Sequence, residues 1–214
     1  MLRIDVFTLV PHAFAWLTEQ RPLAAVLGSA LELRLFNYRD TTPLRAGQVD
    51  DEPYGGGAGM VLRVDVVAAA LDAAYGGPPE QPVVALTPKG RSLTQAVVEE
   101  LAAAPALTLL SSRFEGFDER VVEHLASDAV SIGPYVLSNG DLPAMVVLDA
   151  VARRLPGALS EGSGELESFS EELGGALEYP HYTRPAEFRG WTVPEVLLSG
   201  DHAKIEAWRR EGVR

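Results

Sequence analysis

From Val49 to Met60 the chain reads Val-Asp-Asp-Glu-Pro-Tyr-Gly-Gly-Gly-Ala-Gly-Met, two adjacent aspartates leading into four glycines, Gly55, Gly56, Gly57 and Gly59. Glycine carries no Cβ, so backbone can approach a ligand closely and take up positive φ at little steric cost. Asp50 and Asp51, when ionised, only accept hydrogen bonds, and so suit the donor groups of a ligand rather than its phosphates. The composition describes a base-reading loop better than a phosphate cradle. A mobile glycine-rich turn behind a solvated acidic lead-in accounts for it equally well. Two familiar motifs are excluded. A P-loop requires Lys after its last glycine, and none follows here. The dinucleotide fingerprint would place a glycine at Met60 and a buried strand where Pro53 and Tyr54 stand.

Three further stretches hold chemistry-bearing residues. Ser131 to Met145 places Tyr135 and Leu137 among Gly133, Pro134, Asn139 and Gly140, so apolar side chains sit beside exposed amides. That combination suits an adenine ring with a short polar tail, or simply core residues at a loop. Ser111 to Arg120 holds Arg113, Glu115, Asp118, Glu119 and Arg120, which can pair among themselves. Arg153 and Arg154 close a helical pattern, where cations complement the macrodipole, and Glu167 lies in an acidic stretch where solvent exposure is the default. His12, His124, His181 and His202 lack metal-ligand spacing. No Gly-x-Ser-x-Gly elbow is present for serine hydrolase chemistry.

The elements that must position these residues alternate. Apolar runs rich in Val, Leu and Ile recur at residues 2–9, 31–36, 83–86, 107–110 and 129–132. Helix-period segments run over 11–28, 64–75, 92–104, 118–126 and 141–155, with Gly28, Gly76 and Gly157 at their C-terminal ends. The pattern predicts an α/β fold around a mainly parallel sheet. Ligands bind beyond strand carboxyl ends in such sheets, so the unusual connections at 37–60, 111–117 and 134–140 are the expected site. Residues 158–178 carry six glutamates and no Lys or Arg, the composition of a flexible linker. A catalytic domain over 1–157 and a small helical unit over 179–214 follow, the latter with a main helix from Ser199 to Arg210 and too short to own a large core.

The 214 residues, 47% hydrophobic, allow one sizeable core, and no apolar run reaches the roughly 20 residues that span a bilayer. Met1 to Val6 enters a strand pattern without a secretory h-region, and cysteine is absent, so a cytoplasmic protein is expected. A net charge of −12 argues against non-specific nucleic-acid binding. Charge is segregated, however: residues 179–214 hold six basic and five acidic side chains, against twelve and twenty-five before them.

Taken in order, Val49 to Met60, Leu86-Thr-Pro-Lys-Gly, Arg113-Phe-Glu-Gly-Phe-Asp-Glu-Arg-Val, Ser131 to Met145, Pro180-His-Tyr-Thr-Arg-Pro and Leu197-Leu-Ser-Gly-Asp-His-Ala-Lys-Ile resemble the bacterial tRNA (guanine-N1)-methyltransferases acting at guanosine 37, the TrmD family of the SPOUT superfamily. The resemblance spans nearly the whole chain. It implies a parallel sheet with a deep trefoil knot, a homodimer with active sites between subunits, and bent S-adenosyl-L-methionine held by Ala85, Leu86, Thr87, Pro88, Ser112, Ile132, Gly133, Pro134, Tyr135, Val136, Leu137, Asn139, Gly140 and Pro143. By the same resemblance the tRNA anticodon stem-loop would meet Asp50, Tyr54, Gly55, Gly56, Gly57, Gly59, Glu115, His181 and Arg184. It also implies magnesium dependence, for which the sequence shows no ligand cluster.

The chemistry needs two residues. N1 of guanine is a poor nucleophile until its proton leaves, and the resulting charge spreads onto O6, so a carboxylate base and a cation solve complementary halves of the problem. The family's base lies in an Asp-Ser-Phe segment that falls on Glu167-Ser168-Phe169, one methylene longer, and its arginine falls on Arg153. Other departures are Ser112 for glycine, Pro134 for aspartate and Asn139-Gly140-Asp141 for Gly-Gly-Glu. The chain stops at Arg214, where the family usually continues with a helical tail. Phosphate contacts are therefore expected from Arg184, Arg189, Lys204, Arg209 and Arg210. The competing readings are a non-catalytic RNA- or S-adenosylmethionine-binding module and a knotted methyltransferase for another RNA position.

Overall fold

The computed structural model describes residues 1–160 and 167–213. The chain forms two compact units, Met1–Leu159 and Ser160–Arg214. In the first, β1 (Leu2–Thr8) leads through α1 (Ala15–Thr18) and α2 (Leu23–Val26) to β2 (Leu31–Asn37), then α3 (Tyr38–Thr41) and a short antiparallel pair, β3 (Asp50–Asp51) and β4 (Val61–Leu62). There follow α4 (Val64–Tyr75), β5 (Val83–Ser92), α5 (Gln95–Ala103), β6 (Ala106–Leu110), β7 (Asp128–Ser131) and α6 (Asp141–Arg153).

The main sheet has the order β2-β1-β6-β5-β7, and every neighbouring pair is parallel. β1 is covered on both faces, with every residue but Arg3 buried, although Arg3 and Asp5 interrupt its apolar run. Ile4 and Val6 join a core with α1, α2, α5 and α6, while Phe7 on the opposite face joins one with α4 and Tyr38. The expected parallel α/β sheet is therefore present. Helix ends obey local chemistry: Gly76, at φ 72°, caps α4, and the Thr94 side chain accepts from the Val97 amide at the start of α5.

Three predicted helices differ. The one expected over 11–28 is a 3₁₀ turn, Pro11–Phe14, followed by α1 and α2, because Pro22 has no amide to carry a continuous helix. The one over 118–126 is a single wide turn, Val121–Leu125, closed by the Ala126 amide on the Val121 carbonyl. The Asp118 side chain accepts from the Arg120 amide and its guanidinium, which holds the preceding residues in a turn instead. In the second unit the main helix starts at His202, where Asp201 caps the Lys204 amide.

That second unit contains a hairpin of β8 (Glu187–Phe188) and β9 (Trp191–Thr192), then α7 (Glu195–Leu198) and α8 (His202–Gly212). Among its described residues no apolar side chain is fully buried. Aromatic contacts hold it instead, with Tyr179 and Tyr182 centred 6.4 and 6.2 Å from Trp208. Arg209 lies over the Tyr179 ring. Part of the expected linker, residues 161–166, lies outside the described residues. Residues 167–178 form successive turns, in which the Ser170 amide donates to Glu167, Gly175 to Ser170 and Phe169 to Ala176.

Candidate active site

Three loops, a bulge within β5 and those that follow β6 and β7, lie side by side, and together they line an open cleft of about 150 Å³. Their closeness depends on missing side chains. The Gly140 amide donates to the Ser112 carbonyl at 2.7 Å, and a Cβ on Gly140 would lie 2.8 Å from the Ser112 nitrogen. Within β5 the chain bulges over residues 87–90, since Leu86 and Arg91 both register with Val130. In the third loop Tyr135 folds back over Gly133 and donates from its hydroxyl to the Ile132 carbonyl.

Leu86, Val130, Leu137 and Pro143 give the cleft an apolar lining. The backbone amides of Val136, Leu137, Ser138 and Asn139 have no acceptor among the described residues. Apolar walls with free amides match the edge of a purine ring, which offers acceptor nitrogens in a flat apolar frame. Of the residues expected at a cofactor, Leu86, Thr87, Pro88, Ser112, Ile132, Gly133, Tyr135, Val136, Leu137, Asn139, Gly140 and Pro143 line this cleft. Ala85 does not reach it, being fully buried between Leu110 and Ala129 of the adjacent strands, and Pro134 points to solvent. Phe114, Gly116, Val130, Ser131 and Ser138 also line it and were not anticipated. Val130 and Ser131 could have been found, because a strand's last residues face the site its loop forms.

The glycine run is the tip of the β3–β4 hairpin, with Asp50 opposite Leu62 and Asp51 opposite Val61. Gly55, Gly56, Gly57 and Gly59 all have positive φ, between 78° and 139°, so this tip requires glycine. The hairpin is stitched to the loop after β6 by backbone amides: that of Glu115 donates to the Met60 carbonyl, that of Leu62 to the Gly116 carbonyl and that of Asp118 to the Leu62 carbonyl. Gly59 thereby lies against the Glu115 side chain, and Glu115 in turn lines the cleft. The expected base loop and the expected cofactor loops thus share a border, while Tyr54 stands fully exposed at the tip.

The two aspartates have separate fates. Arg63 donates to Asp51 and, through two nitrogens, to Asp65, holding the Asp65 carboxyl below its usual range. The half-buried Asp50 has no side-chain partner among the described residues. Within the acidic loop Asp118 pairs with Arg120, as the sequence suggests, but Glu119 pairs with Lys89 at 2.7 Å. Arg153 occupies the last turn of α6, where its charge draws down the Asp149 carboxyl that burial raises. Arg154 lies 3.5 Å from Glu99. In the second unit Glu167 opens the turn series, His181 lies 2.9 Å from Glu178, and Arg184 is exposed. Among the described residues no group of three or more His, Asp or Glu could hold a metal ion.

An open parallel sheet with a purine-compatible cleft at its strand ends defines a cofactor-binding α/β enzyme. Residues 2–214 match the family model described as tRNA (Guanine-1)-methyltransferase TrmD, and the chain belongs to that family. A tRNA (guanine-N(1)-)-methyltransferase of Dehalococcoides mccartyi is 47% identical over 98% of this chain and 85% of its own length. Proteins of the same name from Rhodospirillum rubrum and Rhizorhabdus wittichii are 50% identical over 98% of this chain and 86% of theirs, and 56% identical over 80% and 69%. No helix among the described residues is long and apolar enough to cross a membrane.

Proposed function

We propose that this chain is a tRNA methyltransferase that transfers a methyl group from S-adenosylmethionine to N1 of guanosine 37. The observation that carries the reading is the shared border of the two loops: Glu115 belongs to the wall of the apolar cleft and lies against Gly59 of the glycine tip. A cofactor in the cleft and a base at the tip would be neighbours, as group transfer requires.

S-adenosylmethionine, when bound, supplies an electrophilic methyl group on a sulfonium. The free amides of Val136 to Asn139 would hold its purine edge, and the apolar lining would exclude water from it. Asp50, whose side chain has no partner among the described residues, accepts hydrogen bonds from a guanine's N–H groups, whereas Asp51 serves the hairpin through Arg63. Glu167 takes the N1 proton onto its carboxylate. Arg153 stabilises the negative charge that reaches O6. The second unit, richer in cations than the rest of the chain, grips the anticodon stem-loop through Arg184, His181 and its neighbours. We further assign the family's trefoil knot and a homodimer with active sites between subunits, in the cytoplasm. The magnesium dependence that the family resemblance implies has no ligand cluster among the described residues.

Incubation with labelled S-adenosylmethionine and two tRNA transcripts, with guanosine or adenosine at position 37, tests this reading. Label in the first alone is expected. Label in neither would leave a binding module, and label in both would mean another target nucleotide.

A further inference from the structure

Asp141, the first residue of α6, is a buried carboxylate at a point where several chain segments converge. Its Oδ1 accepts from the Thr8 hydroxyl at 2.6 Å and from the Ser111 hydroxyl at 2.7 Å. Thr8 ends β1 and Ser111 follows β6, the neighbouring strand. The Asp141 backbone belongs to the third loop, with its amide held by the Asn139 side chain and the preceding Gly140 held by Ser112. One carboxylate oxygen therefore fastens three segments immediately behind the part of the cleft formed by Ser112, Asn139 and Gly140.

Stability does not explain this placement. Asp141 Oδ2 is buried and has no partner among the described residues, and the buried Tyr38 hydroxyl is in the same condition. Burial, and after it the Asp141 carboxylate, raises the Tyr38 phenol well above its ordinary range. A buried carboxylate with one oxygen unmatched destabilises a fold, and replacing buried ionic groups is often neutral or stabilising. A group that costs stability at the wall of a cleft is expected where function needs it.

We propose that Asp141 is a positioning residue for the cofactor: by holding Ser111 and Thr8 on one oxygen it sets the spacing between the loop after β6 and the loop that starts α6. This rests on the assignment of S-adenosylmethionine to the cleft. Asp141 acts through Ser111 and Ser112 and does not itself line the cleft.

The test uses the full chain, with Asp141→Asn, which keeps the shape and Oδ1, Ser111→Ala, and the double variant. Calorimetric titration with S-adenosylmethionine and with S-adenosylhomocysteine is paired with thermal melting. Each single variant should raise Kd for both ligands about tenfold, the scale of one weakened charge-assisted hydrogen bond. Asp141→Asn should melt no lower than the parent, and the double variant should bind no worse than Asp141→Asn alone, because both act through one bond. A lower melting temperature with unchanged Kd would make Asp141 structural only and overturn the proposal. Loss of affinity for the cationic S-adenosylmethionine alone would make it a counter-charge, which also overturns it. Should Asp141→Asn not fold, an unchanged Kd in Ser111→Ala overturns it. If the parent chain binds neither ligand, the cofactor assignment itself fails.

Discussion

Gly59 has no room for a side chain while Glu115 holds its position: a Cβ there would lie 2.6 Å from Glu115 Cγ and 2.8 Å from its Cδ. The φ of Gly59, 84°, adds strain for any other residue. Gly59→Ala should therefore push Glu115 aside at the border of cleft and hairpin while costing the fold only about 1 kcal/mol. Methyl transfer to tRNA should fall at least about tenfold, the usual price of a misplaced reacting group, with S-adenosylhomocysteine affinity little changed. Steady-state kinetics and calorimetry on the one variant check both halves.

Gly90 makes a closer approach, and to backbone. A Cβ at that position would fall against the main chain of Ala129 and Val130, 2.6 Å from the Ala129 carbonyl oxygen. Main chain inside a parallel sheet cannot yield as a side chain can. Gly90→Ala should destabilise the first unit by about 3 kcal/mol, the upper end for overpacking, as a lower urea midpoint at unchanged slope.

The alkaline limb of stability should report on Asp5. This fully buried carboxylate accepts two hydrogen bonds from Arg34 and one from the Tyr75 hydroxyl, which also meets Thr108. Burial, with Asp5 adding to it, pushes the Tyr75 phenol up to about 12. The folded state thus keeps a proton that the unfolded chain loses near pH 10. The associated stability is complete below about pH 10 and is lost as pH rises toward 12. Tyr75→Phe should flatten that part of the profile in denaturant titrations.

The parallel α/β class was legible, because short Val- and Leu-rich runs such as 83–86 and 107–110 alternate with helix-period segments, whereas the edge strand β2, interrupted by Glu32 and Arg34, fully buries only Leu31. Pro22 is equally visible in the sequence, but helix periodicity on either side of it conceals the break it imposes. Most of the cleft followed from family resemblance carried onto single residues; exposed amides were legible in the stretch from Ser131 to Met145, but not that those of Val136 to Asn139 are the ones without an acceptor among the described residues. Two relationships are invisible in one dimension. Asp51 and Asp50 look alike in sequence, and only Arg63, twelve residues on, separates the tied carboxylate from the untied one. Asp141 is joined to Thr8 across 133 residues, and no local pattern signals it.

Proton removal and charge stabilisation should separate from binding. Glu167→Gln is expected to lower kcat by about 10²–10⁴, the range for loss of a general base, with S-adenosylhomocysteine Kd unchanged. Arg153→Ala should lower kcat by about 10²–10³ through loss of electrostatic stabilisation. Full activity in Glu167→Gln would remove that residue from the chemistry.

The most direct measurement is the identity of the product. A tRNA transcript with guanosine 37 is incubated with the chain and S-adenosylmethionine, digested to nucleosides, and resolved by mass spectrometry against methylguanosine standards. One new nucleoside, 1-methylguanosine mapping to position 37, is the expected result. A different methylated nucleoside, or an unmodified transcript from a chain that demonstrably binds S-adenosylmethionine, would contradict the assigned reaction.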